Sequence, residues 1–317
     1  MQSNNHGKSD ASICGAWVTI GSFDGIHKGH QRIIKKIVGG ARKFGERAIV
    51  VTFFPHPSEV LGKKVQVFYL NTPEEKDEIF KNMGVDSVLT FLFDKELSRM
   101  STREFIGMLH RQLDFSCLLI GYDFRLGADR KGDIHTLRDI GEELGYCIRA
   151  INPLKKRSSP VSSSAIRALI KEGNVQKAAA LLGRDYEVRG EIIHGDGRGK
   201  HIGIPTANMM PWKEKVIPGI GVYAAFARLG GCTYKAVVNI GCRPTFYEQP
   251  VKRTIEVHLL DFNRNIYGET IRMFFVKHIR SEEKFDSAEA LMRKIQHDIE
   301  VAKKVLSRGT AKKHIPT

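Results

Sequence analysis

The stretch AWVTIGSFDGIHKGHQRIIKKI, Ala16 to Ile37, decides how the first half of the chain folds. It opens on WVTI, an apolar run that reads as a buried strand. It closes on HQRIIKKI, whose isoleucines recur at helical spacing among basic residues. Between them GSFDGIHKGH packs three glycines and two histidines into ten residues. A strand that turns through glycines straight into a helix is the opening step of a parallel α/β sheet. Such a turn presents backbone N–H groups and a positive helix end to an anion. His27 and His30 stand about one helical turn apart there and can face the same phosphate. Their expected work is electrostatic, stabilising charge on a pentacoordinate phosphorus and its leaving group. Taken singly, each histidine also reads as an ordinary polar residue at a helix start. A metal pair is disfavoured, since no third ligand lies nearby at metal spacing.

Outward from this stretch the pattern repeats. RAIVVTF, DSVLTFLF, SCLLIGYD and YCIRAI read as further buried strands. HQRIIKKIVGGARKF, TPEEKDEIFKNM, TREFIGMLHRQL and DIHTLRDIGEEL read as the helices between them, with Gly45, Gly84 and Gly145 as stops. Thr72-Pro73-Glu74-Glu75 is a start signal. This alternation predicts a parallel sheet with its ligands at the carboxyl ends of the strands. Residues 163–182 read as two short helices broken at Gly173-Asn174. From Tyr186 closely spaced strands take over (YEVRGEIIHG, GVYAAFARL, TYKAVVNIG, RTIEVHLLD, ETIRMFFVKHI), which predicts a small barrel or sandwich. The helix SAEALMRKIQHDIEVAKKVL follows.

Composition sets the class. The 317 residues suffice for about two domains, and 42% hydrophobic with 27% charged is globular material. No apolar run approaches the ~18 residues of a membrane span. The polar N-terminus carries no signal-peptide core. Five cysteines without a CxxC point to reduced thiols and hence to the cytoplasm. The net charge of +15 divides almost evenly between residues 1–184 and 185–317, which suits small phosphorylated ligands as well as nucleic acid.

Further residues carry chemistry of their own. Ser162, Ser163 and Ser164 precede a helix and can cap it or cradle phosphate, with Arg167 one turn in. Asp123 stands at a strand end, and His56 sits between two prolines. GDGRGKHIGIPTANMM (195–210) is not a Walker A loop, because Gly199-Lys200 is followed by His201. Gly195, Gly199, Lys200 and Gly203 still describe a loop whose N–H groups wrap phosphates. Thr206 and Asn208, two apart in an extended segment, offer oxygen ligands for Mg²⁺. In IEVHLLDF (255–262) the alternation puts Ile255, Val257 and Leu259 on one face and Glu256, His258 and Leu260 on the other.

GSFDGIHKGH resembles the GNFDGVHxGH segment of the HxGH nucleotidyltransferases, with Ser22 where that family has Asn. The likeness is greatest to the bacterial bifunctional riboflavin kinase/FMN adenylyltransferase family. VTFFPHP (51–57), GYDFRLG (121–127) and VSSSAIR (161–167) follow in the family's order, with Ser164 in place of Thr. PTAN, GVYAA, NIGCRPTF (239–246) and IEVHLLDF resemble its flavokinase half. The resemblance implies an α/β fold: a Rossmann-like parallel-sheet nucleotidyltransferase domain, 1–184, then a small β-barrel flavokinase domain with a terminal helix, 185–317. It implies phosphorylation of riboflavin by ATP to FMN and adenylylation of FMN to FAD and pyrophosphate, both assisted by Mg²⁺. It assigns Gly21, Ser22, Asp24, His56, Asp123, Ser162, Ser163, Ser164 and Arg167 to nucleotide or flavin binding, His27 and His30 to catalysis, and Glu256 to the general base for the riboflavin 5′-hydroxyl.

Three rivals remain in view. An HxGH nucleotidyltransferase with another phosphate acceptor needs no PTAN half. A chain retaining only the kinase activity would follow if Ser22 disabled the adenylyl site. A nucleic-acid binder wants a concentrated basic face with stacking aromatics, and aromatics here are 9%, many in apparent core strands. The expected partners are therefore ATP, riboflavin and FMN, with no nucleic acid, no membrane and the oligomeric state unassigned.

Overall fold

The computed structural model describes residues 15–62, 68–152, 155–156, 159–194, 204–243 and 252–307. The described residues form two compact units. One holds those of Met1–Val67 and Pro73–Pro160, the other those of Phe68–Thr72 and Val161–Thr317.

The first unit is a five-stranded, all-parallel sheet in the order β3-β2-β1-β4-β5. Its elements run β1 (Ala16–Ile20), α1 (Lys28–Phe44), β2 (Arg47–Phe54), α2 (Pro57–Val60), α3 (Pro73–Asn82), β3 (Ser87–Leu92), α4 (Lys95–Arg99), α5 (Thr102–Leu113), β4 (Cys117–Gly121), α6 (Ile134–Leu144) and β5 (Cys147–Ile151). Val18 pairs with Ile49 on one side and Leu118 on the other. β1 is buried along its whole length because helices cover both faces of the sheet. Val18, Ile49 and Leu118 pack with Phe105, Leu109 and Leu137 of α5 and α6. Trp17, Val50 and Leu119 pack with Ile34 and Ile37 of α1 and Phe80 of α3. The reading of all five strands as buried needs correction at the margins. β3 and β5 are edge strands with one neighbour each, and Leu92 is 68% exposed.

The strand order places the reversal between β1 and β4, so the ligand crevice expected of such a sheet opens at their carboxyl ends. GSFDGIHKGH follows β1 and GYDFRLG straddles the end of β4.

A short ribbon, β6 (Lys155–Lys156) with β7 (Ser159–Pro160), precedes the second unit. That unit begins with α7 (Ser163–Lys171) and α8 (Val175–Leu182), then closes β8 (Tyr186–Ile193), β9 (Ala207–Pro211), β10 (Gly221–Leu229), β11 (Cys232–Arg243), β12 (Lys252–Leu259) and β13 (Thr270–Arg280) into an antiparallel barrel. Val188, Met209, Ala225, Val238, Val257 and Met273 fill its interior. The terminal helix α9 (Ala288–Ser307) lays Ile299, Ala302 and Leu306 on Val222, Ala224 and Phe274, the outward side chains of β10 and β13.

The packing boundary lies at 160/161, whereas the sequence places a boundary of activities at 184/185. The reason is apolar: Ile166, Ile170, Val175, Ala178 and Leu182 of α7 and α8 belong to the same core as the barrel interior. Phe68–Thr72 also belongs to this unit. The Tyr69 N–H donates to the Glu214 carbonyl at 2.7 Å, and the Val216 N–H donates to the Tyr69 carbonyl at 2.9 Å. Three cations of the second unit donate to this one segment: Arg167 Nε to Phe68 O at 2.9 Å, Lys215 Nζ to Leu70 O at 2.9 Å and Arg184 Nη2 to Asn71 Oδ1 at 3.2 Å.

Candidate active sites

The loop after β1 is built from unusual backbone. Phe23, Gly25 and Ile26 all have positive φ, at 46°, 81° and 36°. Left-handed geometry at a β-branched residue such as Ile26 is rare and costs on the order of 1–3 kcal/mol. Surrounding bonds hold the loop. The Gly21 N–H donates to Val51 O, Thr52 Oγ1 donates to Ser22 O, and Gln31 Nε2 donates to Ile26 O at 2.8 Å. Phe23 and Ile26 are buried beneath it.

His27 N-caps α1, its Nδ1 accepting the His30 N–H at 3.4 Å. The two imidazoles stack with centroids 3.7 Å apart and planes 19° from parallel. His27 is 6% exposed and His30 half-buried. Phe23 meets His30 edge-on at 5.2 Å. Gly29 makes this possible, because a Cβ there would sit 3.1 Å from Cε1 and Nδ1 of His27. The arrangement presents two adjacent ring donors at the positive end of a 17-residue helix, chemistry suited to a phosphate.

Of the other residues predicted for this site, those in the first unit fall around the same strand ends. Gly21, Ser22 and Asp24 share the loop with the histidines, and Asp24 is buried at 2% exposure. His56 follows β2 and N-caps α2, its Nδ1 accepting the Ser58 N–H at 3.1 Å and lying 2.7 Å from Ser58 Oγ. Asp123 lies two residues beyond β4 rather than at its end, exposed, with a carboxylate oxygen folded back toward Gly121. Ser162, Ser163, Ser164 and Arg167 belong to the second unit. Of the serines, only Ser162 precedes α7; it is the N-cap, accepting the Ala165 N–H at 3.3 Å, and Ser163 and Ser164 lie inside the first turn.

The sequence did not single out a cavity of about 280 Å³ in the first unit, lined by Phe53, Phe93, Leu97, Met100, Phe105 and Leu126 with Arg130. Phe53 is near the end of β2, Phe93 just past β3 and Leu126 in the loop after β4, so the cavity lies at the carboxyl edge of the sheet. Arg130 has a φ of 59°. Each of these aromatics alone reads as core; no local signal announces that they surround a space.

In the second unit Glu256 pairs across the sheet with Asn208 of β9 and Asn239 of β11. Ile255 and Val257 point into the barrel, so these three polar side chains share its outer face. Thr206 and Asn208 are half-buried, with Thr206 just before the strand. His258 Nδ1 is 2.8 Å from Pro205 O, fastening the PTAN segment to β12. Sequence reasoning quoted Asn239 as the first residue of NIGCRPTF but gave it no role; cross-strand register sets it beside Glu256. Sequence reasoning missed Glu282: a Cβ on Gly241 would meet Glu282 Oε1 at 2.9 Å and Asn239 Nδ2 at 3.7 Å. Gly195, Gly199, Lys200 and Gly203 lie outside the described residues.

Two family models match successive parts of the chain. FAD synthetase matches residues 9–165 and riboflavin kinase matches 182–306. The chain is 37% identical over 283 residues to the bifunctional riboflavin kinase/FMN adenylyltransferase of Bacillus subtilis (strain 168), covering 89% of each chain. The chain belongs to the bifunctional riboflavin kinase/FMN adenylyltransferase family. The Escherichia coli (strain K12) member is 35% identical over 295 residues, covering 92% of this chain and 93% of its own. A crystal structure described as a macrolide-efflux protein from Streptococcus pneumoniae shares the fold, with TM-score 0.85 and 29% identity over 92% of this chain and 95% of that one. Among the described residues of this family member, no helix is long and apolar enough to cross a membrane.

Proposed function

We propose that this chain converts riboflavin to FMN on its barrel and FMN to FAD on its parallel-sheet unit. As a member of its family it is both a riboflavin kinase and an FMN adenylyltransferase. In the first step the riboflavin 5′-hydroxyl oxygen attacks the γ-phosphorus of ATP, Glu256 takes the hydroxyl proton, and ADP leaves. The register of Glu256 between Asn208 and Asn239 supports this role, since flanking amides can orient a carboxylate that accepts a proton. Thr206 and Asn208 supply oxygen donors only, the set that suits Mg²⁺, and they would hold the ion. Bound there, Mg²⁺ would neutralise phosphate charge. Gly195, Gly199, Lys200 and Gly203 are assigned to the phosphates of ATP.

In the second step a phosphate oxygen of FMN attacks the α-phosphorus of ATP and pyrophosphate leaves. His27 and His30 stabilise the charge gathering on the transferred phosphoryl group and leaving oxygens. The stacked imidazole pair at the sheet's switch point is the observation that carries this assignment. Gly21, Ser22, Asp24, His56 and Asp123 shape the nucleotide and flavin positions around it. Ser162, Ser163, Ser164 and Arg167 are assigned to nucleotide binding, with the first-turn amides of α7 as anion donors. The aromatic cavity beside the strand ends suits a flat, largely apolar tricycle, and we assign it to the isoalloxazine. The free thiols at Cys117, Cys147, Cys232 and Cys242 support a cytoplasmic location.

The test is one incubation with riboflavin, ATP and Mg²⁺, the flavins being separated by chromatography. FMN followed by FAD supports both steps. Glu256→Ala should stop FMN formation and spare conversion of added FMN; His27→Ala and His30→Ala should do the reverse.

A further inference from the structure

Two free cysteines of the first unit stand side by side in the parallel sheet. Cys117 opens β4, Cys147 opens β5, and the two are direct partners in the register of those strands. Neighbouring strands lie about 4.7–4.9 Å apart, inside the roughly 4.4–6.8 Å between Cα atoms that a disulfide spans. Both side chains also leave the sheet on one face. Cys117 packs with Trp17 and Leu119, and Ile151 of β5 belongs to the same cluster. Alternation along β5 puts Cys147 on the face of Ile151, and so beside Cys117. The Cys147 N–H donates to Ser116 O at 2.9 Å, which fixes the two strand starts against each other. Cys232 and Cys242, in the barrel, pair with Leu229 and Arg253 instead.

The two thiols differ in what can reach them. Cys117 is 1% exposed, whereas Cys147 lies open to solvent on an edge strand. Burial holds the Cys117 thiol above its ordinary range, contact with the Cys147 thiol adds to this, and Arg149 pulls the other way. An oxidant in solution therefore meets Cys147 first.

We infer that Cys147 and Cys117 form a peroxide-responsive pair, in which Cys147 is oxidised and Cys117 resolves it as a disulfide. The Cys147 sulfur attacks one oxygen of hydrogen peroxide and the O–O bond breaks. The thiol proton goes to the leaving hydroxide, giving a sulfenic acid and water. The Cys117 sulfur then attacks the Cys147 sulfur, the S–O bond breaks, and the Cys117 proton leaves with the hydroxide as a second water. The two thiols together lose two electrons, and one peroxide takes both. A thiol reductant restores the pair. Without its neighbour the exposed thiol would run on to sulfinic acid, which thiol reductants do not reverse. The bond closes a ring of chain that carries Asp123 and the cavity residues Leu126 and Arg130.

The experiment treats the reduced, folded full chain with a small molar excess of hydrogen peroxide. Remaining thiols are then blocked with iodoacetamide and the chain is mapped by mass spectrometry. A Cys117–Cys147 linked peptide that dithiothreitol removes is the expected result. Cys147 found as sulfinic acid or joined to a second chain, with Cys117 still free, overturns the inference. So does the absence of oxidation at both, or a linked peptide that forms only in urea. In the reduced chain iodoacetamide should modify Cys147 about tenfold or more faster than Cys117, as their exposures require; equal rates overturn the order of the steps. Cys147→Ser should leave Cys117 reduced under peroxide and keep both FMN and FAD formation. Oxidation of Cys117 in that variant as fast as in the parent overturns the role of Cys147. In Cys117→Ala, dimedone should trap the sulfenic acid on Cys147, and without the trap that residue should advance to sulfinic acid. Should this buried substitution unfold the chain, the parent and Cys147→Ser decide the matter.

Discussion

His27 caps the helix on which His30 rides, and the capping contact brings their rings face to face at 3.7 Å. The same nitrogen that accepts at the helix start belongs to the ring stacked on His30, so local folding and the site proposed for phosphate share a hydrogen bond.

Gly29→Ala tests that coupling. The added methyl would press on His27 from 3.1 Å and turn the ring away. FAD formation should fall by about 10²-fold, with FMN formation retained. Separate assays of the two steps on one preparation check it.

Glu256→Gln keeps the shape of the barrel site and removes the base proposed for it. FMN formation should drop by about 10²–10⁴-fold, the range for a lost general base. The KM for riboflavin should stay near the parent value, as measured by steady-state kinetics.

Phe93→Ala opens the aromatic cavity. Losing one aromatic wall should raise the KM for FMN in FAD formation by roughly 10- to 150-fold, given the about 1.5–3 kcal/mol that such burial supplies. The KM for riboflavin in the first step should not change.

Gly40→Ala probes packing of α1 on the sheet. A Cβ there would lie 2.2–2.5 Å from the Trp17 ring, which is 4% exposed. Overpacking of this kind costs about 1–3 kcal/mol, readable as a lower denaturant midpoint at unchanged slope.

Burial pushes the His278 imidazole below its ordinary value, against a hydrogen bond to the Ile220 backbone that raises it. The unfolded chain therefore takes up this proton first as pH falls. The stability due to neutral His278 is present above about pH 6.5 and is lost as pH drops through its depressed folded value. His278→Gln should flatten that part of the Tm-against-pH curve.

The alternation of strand and helix was legible because buried parallel strands and amphipathic helices have different periods, and every element of the sheet announced itself. The barrel was legible from strand spacing, and the polar face of Glu256 from alternation alone. Position within the sheet was not: DSVLTFLF is as apolar as the central strands, yet β3 lies at the edge. The burial of Lys76 on α3, 4% exposed, was hidden for the same reason, since burial of a helix face is decided by what packs on it. The aromatic cavity was invisible because Phe53, Phe93 and Leu126 come from three separate strand ends and form a space only in three dimensions. The attachment of α7 and α8 to the barrel core escaped because a helical hairpin between two domains carries no mark of which core it joins.

Phe68–Thr72 has a consequence for how such a gene can change. A break before the codon for Val161 would preserve every strand of the barrel and still separate Arg167, Lys215 and Arg184 from the acceptors they use. Lys215 is 2% exposed, and losing the Leu70 carbonyl from a buried ammonium costs at least about 1–3 kcal/mol. Fission of the two activities would therefore require new side chains at those three positions, whereas inheriting the gene whole requires none.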